Sequence, residues 1–159
     1  RAHPPLVEKV WELKINDSER KKAIRSAIAA TASRDLIIQR GHRIQDRKEF
    51  PIVVDDKLQE LKKTKDIAQF LNKIGLEKEI ARVSDRKVRP GKGKNRSRKY
   101  KNKVGPLFVV SSGNANKAVR NIPGCDVCNV KNLSVESLAP GASAGRLTIF
   151  TKSAIESLK

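Results

Sequence analysis

Short, nearly unbroken apolar runs alternate along this chain with longer stretches in which apolar residues recur every three or four positions. The runs are FPIVVDD at 50–56, GPLFVVSS at 105–112, CDVCNV at 125–130 and GRLTIFT at 145–151. Their brevity and near-continuous hydrophobicity predict strands covered on both faces. Between them the period lengthens. Ala23, Ile24, Ala27, Ile28 and Thr31 recur at helical spacing within 18–39, and Gly41 suits a helix stop. Asn16 with Glu19 has the spacing of a capping box. A second helix is expected over 57–74, begun by Asp55 or Asp56, with a break near 64–66. Leu58, Leu61, Ile67, Phe70, Leu71 and Ile74 are its apolar contacts. Shorter helices follow at 76–84, 115–121, 135–138 and 152–158. Strands alternating with helices predict βαβ units. The fold class is therefore α/β: a mostly parallel sheet flanked by helices, without internal repeats.

Two segments depart from this pattern. Residues 1–15, RAHPPLVEKVWELKI, read as an extended arm because Pro4 and Pro5 favour an extended backbone. Trp11 would anchor that arm on the core or on a nucleobase. Residues 16–159 then form a single α/β domain. Inside it, residues 86–103, RKVRPGKGKNRSRKYKNK, read as a basic irregular loop.

Charge sharpens the picture. The 159 residues hold 35 Lys and Arg against 17 Asp and Glu, a net charge of +18. Ten of those cations and no acid lie in residues 86–103. Such a run cannot bury itself. It is either a solvated basic loop or a polyanion contact, and Pro90, Gly91 and Gly93 would let it follow a phosphate backbone. Arg supplies planar forks and Lys point charges for phosphates, and Tyr100 could stack on a base. A membrane surface would call instead for a basic amphipathic helix. The apolar runs fall far short of the ~20 residues that span a bilayer. Two cysteines cannot make a disulfide-dense secreted scaffold. A 38% hydrophobic content suffices for a core. Met is absent, including at position 1, so a segment upstream of Arg1 is expected in the native protein.

Catalytic and ligand motifs are weak. GKGK at 91–94 has Arg96 where a dinucleotide fingerprint needs its third glycine, and it lacks phosphate-loop spacing. SSGN at 111–114 lies at a strand-to-helix turn where N–H groups can hold an anion, although capping alone explains it. Cys125 and Cys128 are half a zinc site without the other half, and they read as small core fillers on opposite faces of a strand. His42 lacks a clearly placed carboxylate to orient it as a base, so an RNA-contacting or structural role is expected. Asp55 and Asp56 read as a strand-end cap in preference to a metal site. No catalytic residue, metal or cofactor is assigned.

Several blocks then resemble one family in order. RAHPP, residues 14–16, ERKKAIRSAIAATA, GHRI, PIVVDD, RPGKGKNRSRKY followed by GPLFVV, NIPGCDVCNV, LAPG and GRLTIFTKSAIESL are similar to the universal large-subunit ribosomal protein L-four family in its archaeal and eukaryotic forms. The resemblance implies a structural component that binds large-subunit ribosomal RNA, supports assembly and lacks a catalytic site. It implies neighbouring ribosomal proteins as partners, with no membrane or small-molecule substrate, and a place on the cytoplasmic ribosome. In the family resembled, a long basic extension lies upstream of the RAHPP block, so the amino-terminal part and most of that extension are expected to be missing here. Carried over residue by residue, RNA contacts fall on Arg1, His3, Lys14, Arg20, Lys21 and Arg25; on Gly41, His42 and Arg43; and on Arg89, Lys92, Lys94, Arg96, Arg98, Lys99 and Tyr100. Cations near the start of the first helix oppose its dipole, a cost that a nearby external anion would offset. The competing readings are an α/β RNA-modifying enzyme and a regulatory RNA-binding protein acting off the ribosome.

Overall fold

The computed structural model describes residues 1–45, 47, 49–111 and 115–158. Among these residues six strands occur in chain order: β1 (Ile52–Val54), β2 (Lys87–Val88), β3 (Tyr100–Lys101), β4 (Leu107–Val110), β5 (Asp126–Asn129) and β6 (Thr148–Thr151). The α-helices among them are α1 (Asp17–Ala30), α2 (Arg34–Gln39), α3 (Thr64–Lys73), α4 (Glu77–Ser84), α5 (Ala115–Arg120), α6 (Val135–Leu138) and α7 (Lys152–Glu156). The main sheet runs β1-β6-β4-β5 and every pair in it is parallel. The expected α/β class is the one observed.

The unbroken apolar runs follow from this arrangement. Successive strand residues face opposite ways, and both faces of the sheet are covered. Ile52, Phe108, Val110, Val127 and Ile149 enter one core with Leu58, Ile67, Leu71 and Val119. Leu107, Val109 and Phe150 enter a second with Ala27, Leu138 and Ala154. Every residue of β4 is therefore buried. Cys125 belongs to the first core and Cys128 packs against the second. Burial pushes the Cys125 thiol up to about 12, so it stays an uncharged filler.

The expected helix over 18–39 is two helices. The N–H groups of Thr31, Ala32 and Ser33 donate to the carbonyls of Ile28, Ala29 and Ala30, a tightened turn that ends α1. The Thr31 hydroxyl also donates to the Ile28 carbonyl at 2.7 Å, a local bond that competes with helix continuation. Ser33 is extended and starts α2. Asn16 sits at the first cap without a side-chain cap bond, so the capping box does not form. The second expected helix also divides. A 3₁₀ turn at Asp56–Glu60 precedes α3, and the break falls at 61–63, earlier than expected, where Leu61 and Lys63 are extended.

Arg146 ties the layers together with almost no exposure. Its Nε donates to the Gly105 carbonyl at 2.9 Å, Nη1 to the Ser137 carbonyl at 2.8 Å and Nη2 to Asp126 Oδ2 at 2.5 Å. A buried guanidinium needs such complete pairing.

Candidate nucleic-acid interface

The basic run is built as a hairpin. β2 and β3 pair antiparallel, with Lys87 opposite Lys101 and Val88 opposite Tyr100. The Arg89 N–H donates to the Lys99 carbonyl at 2.8 Å. Beyond it, Gly91 has φ +76, in the left-handed region where glycine is free of strain, and a short 3₁₀ turn spans Lys92–Asn95. The N–H groups of Arg96 and Arg98 both donate to the Gly93 carbonyl at 3.1 Å.

Arg89 shapes this tip. Its guanidinium donates to the carbonyls of Arg98 and Tyr100, at 3.0 and 3.4 Å. Two of its N–H donors are thus spent inside the hairpin. Lys92, Lys94, Arg96, Arg98 and Lys99 are exposed, and none is in an ion pair among the described residues. Tyr100 is 47% exposed next to exposed Val88. The Arg86 guanidinium and Lys99 Nζ lie 5.5 and 5.6 Å from its ring centroid, which makes a flat apolar platform edged with positive charge.

A polar node joins this hairpin to the body. Glu79 of α4 is fully buried. Its Oε1 accepts from His42 Nδ1 and Arg82 Nη2, both at 2.6 Å. Its Oε2 accepts from the Arg43 N–H and from Arg82 Nε, both at 2.8 Å. Arg82 Nη2 also donates to the Val104 carbonyl at 2.6 Å, where the hairpin returns to the sheet. Burial pushes the Glu79 carboxyl up, but the Arg82 fork, His42 and the Arg43 N–H outweigh it and hold it at about 2.

The node corrects the expectation for His42. The ring is buried, and its Nε2 accepts from the Leu147 N–H at 3.2 Å. The remaining ring proton is then on Nδ1, facing Glu79. Both nitrogens are spent inside the protein, so His42 offers none to RNA. Gly41 and Arg43 flank it at the surface. Arg20, Lys21 and Arg25 are exposed on α1, and Arg1, His3 and Lys14 are exposed in the arm. Residues 1–15 contain neither helix nor strand. Trp11 is 71% exposed with Lys9 Nζ 4.4 Å from its ring centroid, so it does not anchor the arm on the core. The hairpin thus gathers Lys92 to Tyr100, while the arm and α1 carry their cations on separate elements.

The place where open α/β sheets take ligands is at the carboxyl ends of strands that send their helices to opposite faces. Here that is between β4 and β6, since α5 joins the first core and α7 the second. A polar network occupies it. Asp56 Oδ1 accepts from the Ser153 N–H at 3.1 Å, the Ser153 hydroxyl at 2.6 Å and Gln59 Nε2 at 2.9 Å. Asp56 therefore caps α7, not the turn that it begins. Ser111 Oγ lies 2.8 Å from Ser153 Oγ, and Lys152 pairs with Asp55 at 2.5 Å. Of the SSGN turn, Ser112, Gly113 and Asn114 lie outside the described residues.

Sequence reasoning missed Glu79, Arg82 and Arg146. Glu79 does leave one signal: it interrupts the apolar stripe of Leu76, Ile80 and Val83, where an acid needs a buried partner.

The model of the ribosomal protein L4/L1 family matches residues 1–159. The chain is 55% identical over 161 residues to the large ribosomal subunit protein uL4 of Nanoarchaeum equitans, covering 100% of this chain and 59% of that relative. It is 47% identical over 160 residues to its namesake in Methanosphaera stadtmanae, covering 99% and 62%. The namesake in Methanocaldococcus jannaschii is 49% identical over 162 residues, with 100% and 64% covered. The chain spans roughly three fifths of the length of these relatives. It belongs to the ribosomal protein L4/L1 family.

Proposed function

We propose that this chain is a structural, non-catalytic part of a large-subunit ribosomal protein. It binds large-subunit ribosomal RNA, touches neighbouring ribosomal proteins and works on the cytoplasmic ribosome. The basic hairpin carries this reading. A packed α/β body holds a short ribbon whose tip presents Lys92, Lys94, Arg96, Arg98 and Lys99 without counter-ions among the described residues. Exposed cations on a pre-shaped backbone neutralise phosphates and release their counterions on binding. Tyr100 adds a stacking face for an unpaired base. Arg20, Lys21, Arg25, Arg43 and the arm residues Arg1, His3 and Lys14 are a wider set of contacts, with Gly41 giving RNA close access to the backbone. Among the described residues, no helix is long and apolar enough to cross a membrane.

Sedimentation in gradients at high magnesium tests the reading. The tagged protein is expected in the large-subunit peak, with footprints on its RNA. Presence only in ribosome-free fractions would favour an off-ribosome RNA-binding role and overturn the proposal.

A further inference from the structure

A cleft of about 770 Å³ opens between α2, residues 143–144 and the foot of the basic hairpin. Arg40, Arg82, Lys87, Lys101 and Lys103 line it, and among the described residues no acid does. These cations are not equivalent. Arg82 is committed to Glu79 and the Val104 carbonyl. Arg40 donates to the carbonyls of Ser143 and Pro140, which fixes its position but leaves its charge uncompensated. Lys103 Nζ pairs with Asp85 at 2.7 Å.

Lys87 and Lys101 stand directly opposite each other in the β2–β3 register. Neither is in an ion pair among the described residues. Like charges at opposed positions destabilise an antiparallel pair. The first rung of the hairpin therefore carries a like-charge repulsion in the free protein, which Asp85 eases at Lys87, and it sits on the wall of a cleft that is already positive. Burial above all, and then the charges of Arg146 and Arg82, lower the affinity of Arg40 for its proton.

We infer that this cleft seats a backbone phosphate of bound RNA, held between Lys87 and Lys101 with Arg40 facing it. This rests on the RNA-binding reading and adds a second contact at the hairpin's root, apart from its tip. An anion there would turn the repelling rung into a three-body attraction, so RNA binding would also stiffen the hairpin. RNA is favoured over an acidic protein segment because the rung continues directly into the exposed cations of the tip.

Lys87→Glu tests this in a way that separates binding from folding. In the free chain the new carboxylate faces Lys101 but also meets Asp85, so the two effects oppose and the thermal midpoint should change little. Affinity for large-subunit RNA should nevertheless fall by about tenfold or more at low salt. Lys101→Glu should behave alike, and Lys87→Ala with Lys101→Ala should reduce the log–log salt slope by about 0.7–0.9. Unchanged RNA affinity in the single Glu variants would overturn the cleft. So would a lowered midpoint in Lys101→Glu, because the rung would then be stabilising. Loss of polyglutamate binding with RNA binding intact would assign the cleft to an acidic protein segment and overturn the proposal. Failure of the unmodified chain to bind the RNA would instead sink the functional reading itself.

Discussion

Glu79 shows what one residue does for this architecture. Its carboxylate is buried, yet four donors from two side chains and one backbone N–H keep it ionised. Its carboxyl is lowered from 4.5 to about 2. A group with a depressed value gives stability that is complete above its unfolded value and lost as pH falls through its folded one. Thermal midpoints should therefore drop between about pH 4.5 and pH 2. The contribution at neutral pH is roughly 2–4 kcal/mol. Glu79→Gln should remove most of that pH-dependent loss and lower the midpoint at pH 7, as read by calorimetry at both pH values. A variant that keeps the full acid-induced drop would show that other carboxylates cause it. His42 gains a plain role from the same geometry: it links α4, through Glu79, to the Leu147 N–H just ahead of β6.

Among the elements, the hairpin depends on a close backbone junction. The Gly105 N–H donates to the Gly124 carbonyl at 2.8 Å. Gly124 has φ +73, and a Cβ there would lie 2.6 Å from the Lys103 carbonyl oxygen. Gly124→Ala should destabilise the chain by about 1–3 kcal/mol through a strained backbone and a displaced hairpin exit. Urea unfolding reads the cost, and an unchanged midpoint would mean that the junction tolerates a side chain. The elements also differ in how legible they were. β4 was readable because LFVV is buried on both faces. The division after α1 was not, since it turns on the Thr31 hydroxyl choosing the Ile28 carbonyl. The pairing of β2 with β3 was not either. Its rungs are Lys with Lys and Val with Tyr, too short for any period, and glycine conformations and Arg89 close the ribbon. The charge of the candidate interface was plain in the sequence. The buried Glu79 node supporting it was hidden because its partners come from residues 42–43 and 82.

At the scale of the whole molecule, an α/β body carries a charged hairpin whose foot is tied to it through Arg82 and the Val104 carbonyl. On the proposed function, the hairpin tip contacts RNA and the body positions it. The most direct measurement is the salt dependence of binding to large-subunit ribosomal RNA, comparing the unmodified chain with Lys92→Ala, Lys94→Ala, Arg96→Ala and Arg98→Ala combined. Arg89 is kept because it builds the hairpin. The unmodified chain should show a steep fall of log affinity with log salt. The variant should keep its thermal midpoint, bind more weakly and lose about 0.7–0.9 of slope for each phosphate contact removed. An unchanged slope and affinity in a folded variant would contradict the account.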